Sequence, residues 1–199
     1  MHETTTLRHG VEDTSIRDLV AKEESNVQIT HQSFASKLLV KGIQWDSKIE
    51  HSIQAIFDVL PEQGQVVSGN PWSAISWGPN EYLMINNNTS SAQNLLDGYQ
   101  RSEEDGVVMV DLSSAYQCFR ASGSATVDLI TTCCFFDVQN PDCSVNSVTA
   151  CRLGPYRVVI HHVSDPAIFD IYIERSLATP FVGYLVAIGY PFKVSYSEP

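Results

Sequence analysis

Basic residues are scarce in this chain. Twelve Lys and Arg stand against 23 Asp and Glu among 199 residues, a formal net charge of −11. Binding a phosphate backbone needs clustered cations, so a nucleic-acid surface is excluded. Long apolar runs are missing too. The longest, Phe181 to Gly189, falls far short of the ~20 residues that span a bilayer core. Met1 to Gly10 has no apolar segment of the secretory kind. No membrane partner is expected, and the cytoplasm is the expected compartment. The five cysteines, at 118, 133, 134, 143 and 151, are odd in number and show no framework spacing; reduced thiols follow. There is no G-x-G-x-x-G, no Walker-type loop and no G-x-S-x-G elbow, which argues against a dinucleotide site in this chain.

What is present suits a folded protein. Hydrophobic content is 43% and charged content 18%, enough for one sizeable core. The chain is organised around Val107 to Gly123. Val107–Val110 is a short apolar run of buried-strand type. Asp111 and Ser113 interrupt it, and Tyr116, Cys118 and Phe119 resume it. The polar inset has two readings. In one it is a bend or sheet crossing, with Asp111 capping backbone amides; in the other Asp111 beside Ser113 is a base and hydroxyl. The capping reading is preferred.

Residues 1–26 are polar and charged and read as an N-terminal arm. Residues 27–190 read as a single α+β domain, with two similar lobes meeting near 105–125 as a variant, and 191–199 as a tail. Val27–Thr30 alternates as a strand. Phe34 and Leu38–Val40 continue an apolar pattern of open type, up to Gly42. Ser47 and Glu50 form a capping box for a helix carrying Ile49, Ile53, Ile56, Phe57 and Leu60, stopped by Pro61. Short strands are predicted at 65–68, 74–77 and 82–85, then a helix over 90–101. Ser124 opens a helix to 134. Val145–Leu153 and Tyr156–Val163 form a hairpin across Gly154-Pro155. Phe169–Ile173 alternates strictly, which predicts one face solvated or set against polar groups. The last helix spans 178–188, with Gly189 as its cap. The fold class is therefore α+β, mostly antiparallel sheets with packed helices.

Candidate sites each carry two readings. Cys133, Cys134, Cys143 and Cys151 with His161 and His162 are a zinc set or buried thiols with an edge histidine. The second is preferred, because the two histidines point to opposite faces of one strand. A Cys–His nucleophile pair finds no support in any feature that would lower a thiol pKa. Trp72, Trp77, Tyr82 and Tyr99 are core filling or a partner patch. Arg175-Ser176 either meets an anion or partner carboxylate, or places Ser176 as an N-cap.

Several landmarks together resemble the gamma subunit of heterotetrameric sarcosine oxidase. They are Leu7-Arg8-His9, Leu60-Pro61, Trp77-Gly78-Pro79-Asn80-Glu81-Tyr82-Leu83 and Val110-Asp111-Leu112-Ser113-Ser114. Ser122-Gly123-Ser124-Ala125, Phe136-Asp137-Val138 and Glu174-Arg175-Ser176-Leu177-Ala178 follow, so the landmarks span about residues 7 to 190. Leu177 stands where the family has Phe, and Asp142 precedes Cys143 where it has Gly. The resemblance implies a fold similar to the folate-binding aminomethyltransferase. It implies a non-catalytic subunit, docked on a large alpha subunit, in a complex that oxidatively demethylates sarcosine or another N-methyl amino acid such as N-methylglutamate. FAD, FMN, NAD, zinc and tetrahydrofolate would then belong to the alpha, beta and delta partners. Interface residues expected on this reading are Leu7, Arg8, His9, Trp72, Trp77, Arg175 and Ser176. The alternatives are a stand-alone folate-binding aminomethyltransferase-like protein and a homo-oligomeric binding module.

Overall fold

Val107–Asp111 and Tyr116–Ser122, neighbours in sequence, become strands of two different sheets. The computed structural model describes residues 25–34, 36–42, 60–69, 72–86, 107–134, 137–138, 140 and 143–197. The arm, the helices expected after Ser47 and over 90–101, and the loop at 102–106 lie outside the described residues.

The strands are β1 (Val27–Gln32), β2 (Ser36–Gly42), β3 (Val66–Ser68), β4 (Trp72–Gly78), β5 (Glu81–Asn86), β6 (Val107–Asp111) and β7 (Tyr116–Ser122). They continue with β8 (Val148–Leu153), β9 (Tyr156–Ser164), β10 (Ile168–Glu174) and β11 (Val194–Ser197). The helices among the described residues are α1 (Thr126–Cys133) and α2 (Ala178–Ile188). One sheet has six strands in the order β11-β1-β7-β10-β9-β8, the other five in the order β3-β4-β5-β2-β6. Every neighbour pair is antiparallel except β1 with β11. The α+β, mostly antiparallel reading therefore holds.

Alternation along β7 and β10 sorts their side chains between two cores. Phe119, Ala121, Phe169, Ile171 and Ile173 face the helices and meet Leu129, Ile130, Phe181, Val182 and Leu185. Burying each of the larger of these side chains contributes about 1.5–3 kcal/mol. Cys118 and Tyr172 face the other way, onto Val66, Ile75 and Leu83 of the second sheet. The outer face of that second sheet buries Leu38, Val40, Trp72, Ala74 and Met84. The inset at Asp111–Ala115 carries the chain between the sheets. Asp111 Oδ1 accepts from the Ser113 amide at 2.8 Å, the turn-capping role. Gly123 then adopts φ +123°, where a Cβ would lie 2.3 Å from the Asn26 carbonyl, so the turn into α1 requires glycine.

Strand β10 takes the second of its two expected settings: its Asp170–Tyr172 face is not solvated but lies beneath the second sheet, set against the polar Arg120 and His161. Two expectations need correction. Residues 191–197 are not a tail: Tyr190–Phe192 makes a 3-10 turn and β11 pairs with β1. Ser176 does not cap α2. It lies inside a 3-10 turn, Arg175–Leu177, and Leu177 occupies the N-cap without a side-chain bond. Pro180 in the first helical turn already removes one of the amides a cap would satisfy.

Candidate functional site

Gly154-Pro155 closes the β8–β9 hairpin. Gly154 has φ +55°, as the first residue of a type II′ turn requires. The register that follows sets Leu153 opposite Tyr156 and Arg152 opposite Arg157. Both arginines are exposed. Arg152 donates through Nη2 to the Pro155 carbonyl at 3.1 Å. Among the described residues neither arginine forms an ion pair with a carboxylate.

Beside this pair opens a cleft of about 470 Å³. Its aromatic wall is Trp77, set edge-on to Tyr116 at 5.4 Å and to Tyr172 at 6.0 Å. Glu174 stands on the rim. Burial pushes the Tyr116 phenol up, Glu174 adds to the shift and Arg157 opposes it. Cys151 also lines the cleft, but burial and then Cys134 hold its thiol well above the ordinary range, so it is no thiolate at neutral pH. The described lining offers cations, an aromatic wall and one carboxylate. That combination binds an anion next to an apolar group.

Deeper between the sheets lies a polar cluster. Arg120 grips Asp170 with two bonds, 2.7 and 2.8 Å, and Asp170 is almost wholly buried. His161 shares this face, with neither ring nitrogen hydrogen-bonded. Burial lowers its pKa to about 4, with Asp170 opposing and Arg120 and His162 assisting. Lys37 is also buried, which lowers its pKa. Its ammonium donates to the Ser113 carbonyl at 3.1 Å, and its amide donates to the Ser113 hydroxyl. The inset is thus tied into the fold, and Asp111 is exposed on its far side.

The candidates drawn from sequence scatter. His162 turns to the helix-facing side, stacking on Phe169 and donating from Nδ1 to the Cys143 carbonyl at 2.8 Å, while His161 faces inward. Cys118 is buried between the sheets, whereas Cys133 and Cys134 close α1 beneath the hairpin. Burial raises Cys133 to about 11. Among the described residues no three His, Cys, Asp or Glu side chains gather as metal ligands. The aromatic group divides across β4: Trp72 and Tyr82 pack on the outer face, Trp77 on the inner. Trp72, only 4% exposed, fills core. Trp77 alone of that set reaches the cleft; Tyr99, Leu7, Arg8 and His9 lie outside the described residues. Arg175 and Ser176 are exposed one step beyond Glu174, where the Arg175 amide donates to the Ala115 carbonyl. Sequence reasoning missed Tyr116, Arg152, Arg157 and Glu174. The signal for the arginines was available, since a two-residue turn at Gly154-Pro155 fixes 152 opposite 157.

No family model and no curated protein matches the sequence. Solved structures do match. A chain of the heterotetrameric sarcosine oxidase from Corynebacterium sp. U-96, solved with pyrrole 2-carboxylate, superposes with a TM-score of 0.75 at 20% identity, over 90% of this chain and 91% of that one. The glycine cleavage system aminomethyltransferase T from Bartonella henselae superposes with a TM-score of 0.57 at 10% identity, over 92% of this chain and 50% of the enzyme. The chain thus spans about half the length of that aminomethyltransferase. It has the aminomethyltransferase-like fold, in the form carried by a chain of heterotetrameric sarcosine oxidase.

Proposed function

We propose that this chain is a non-catalytic, gamma-type subunit of a cytoplasmic complex of the sarcosine oxidase type. That complex oxidatively demethylates sarcosine or a similar N-methyl amino acid and passes the carbon to tetrahydrofolate. FAD, FMN, NAD, zinc and the folate belong, on this reading, to the alpha, beta and delta partners. The observation that carries it is the mutual match with the sarcosine oxidase chain, 90% of one over 91% of the other. The exposed or half-exposed Trp77, Arg175 and Ser176 are assigned to the interface, together with Leu7, Arg8 and His9. A stand-alone aminomethyltransferase-like enzyme has weaker support, because only half of that enzyme is matched.

The test is affinity purification from the native cell extract through a tag at Pro199, with the absorbance spectrum of the eluate. Larger chains and a flavin spectrum, bleached by an N-methyl amino acid, are expected. Elution alone and colourless would overturn the reading.

A further inference from the structure

The sequence carries 12 basic residues against 23 acidic ones, yet sets two arginines directly opposite each other on the β8–β9 hairpin. Like charges in opposed strand positions repel and lower stability. Arg120, by contrast, is neutralised by Asp170. Arg152 and Arg157 have no such partner among the described residues, and they stand beside a cleft walled by Trp77 and Tyr116. Tryptophan, tyrosine and arginine together are the composition of interface centres. Paired guanidinium forks match a carboxylate in geometry and charge. Both arginines are exposed, whereas a small-molecule site encloses most of its ligand. An occupant that brings its own cover, a protein surface, fits these observations better.

We infer that the cleft is a docking socket for a partner chain that presents an Asp or Glu beside an apolar side chain. The carboxylate seats between Arg152 and Arg157, and the apolar group lies against Trp77. Glu174 on the rim repels a second acidic residue and so fixes which way the partner segment lies. This deepens the subunit reading and rests on it: the partner is the large alpha chain of that complex.

The experiment purifies the tagged chain with its partners, separates the large alpha chain, and titrates it against the full-length chain at low and moderate salt. Three forms are compared: unaltered, Arg152→Glu/Arg157→Glu, and Arg152→Lys/Arg157→Lys. The charge reversal is expected to weaken binding at least 100-fold and to abolish most of its salt dependence. The lysine form retains part of the affinity, because charge remains while the fork is lost. Melting temperatures of all three forms stay level, because each keeps like charges opposite one another, which separates lost docking from lost folding. Unchanged affinity of the reversed form, with the complex intact, overturns the socket and leaves the subunit reading standing. Benzoate that binds the unaltered chain tightly by calorimetry and fails to bind the reversed form, with partner affinity unmoved, also overturns it, in favour of a small-molecule site. If the unaltered form elutes alone and colourless, the subunit reading fails and the socket with it.

Discussion

On one side of the six-stranded sheet Phe119, Ala121, Ile171 and Ile173 press against Phe181, Val182 and Leu185. On the other side the same strands hold Cys118, Arg120, Asp170, Tyr172 and, from β9, His161. Both faces are largely shielded from water, but by different means. The helix-backed face gains from apolar area, which is tolerant of detail and additive in kind. The inter-sheet face depends on geometry, since a buried carboxylate or imidazole is costly unless its partners stand in place. The first face holds the fold together. The second sets how the two sheets meet, and its open end is the arginine-flanked cleft.

The contrast can be broken from the apolar side first. Phe119→Ala removes a ring that packs on Phe181 at 6.1 Å and on Tyr196 at 6.4 Å. It should cost about 4 kcal/mol, read from denaturant unfolding midpoints. A smaller loss of under about 1 kcal/mol would mean the face is loosely packed.

On the polar face, Arg120→Ala strands the Asp170 carboxylate and should cost about 3 kcal/mol. The double change Arg120→Met/Asp170→Leu should recover most of that loss. Recovery in a double-mutant cycle distinguishes a stranded charge from lost packing.

His161 sharpens the comparison through pH. Its folded-state pKa, about 4, lies below the ordinary value of 6.5, so the unfolded chain binds the extra proton between those values. Stability should therefore fall as pH drops from about 6.5 to about 4, by up to about 3 kcal/mol. His161→Leu should remove that slope. It should not lower stability at pH 7, because neither ring nitrogen has a hydrogen bond to lose. A slope that persists in the variant would place the titration on another group.

The smallest effect belongs to the hairpin. Arg152→Ala should raise stability by about 0.5 kcal/mol through relief of the repulsion with Arg157. A loss instead would mean that the Pro155 carbonyl bond of Arg152 outweighs the repulsion.

Much of the architecture was legible before the structure. Period-two alternation marked β1, short runs between turn signals marked β4 and β5, and Gly154-Pro155 marked the β8–β9 hairpin, because strand periodicity and turn chemistry are local. The 178–188 helix and its Gly189 cap were read to the residue. Strand β10 shows the limit. Its alternation of Phe169, Ile171 and Ile173 with Asp170 and Tyr172 allows a solvated face or one set against polar groups, and only the second sheet decides for the latter. Strand β11, four residues long, pairs with a strand from the other end of the chain, and no local pattern announces that. Of the aromatics read from the sequence, Trp77 lines the cleft, while Trp72, also on β4, lies on the opposite face.

The sequence by itself determined the classes of residue on each strand, the turns, and the acidic balance that sets this chain against nucleic acid. Those properties follow from side-chain periodicity, backbone preference and net charge. Tertiary structure decided which sheet each strand joins, which polar groups are buried, and that Trp77, Tyr116, Arg152, Arg157 and Glu174 share one cleft. These positions lie on five strands spread over some hundred residues, and only the pairing of strands and the stacking of one sheet on the other brings them together.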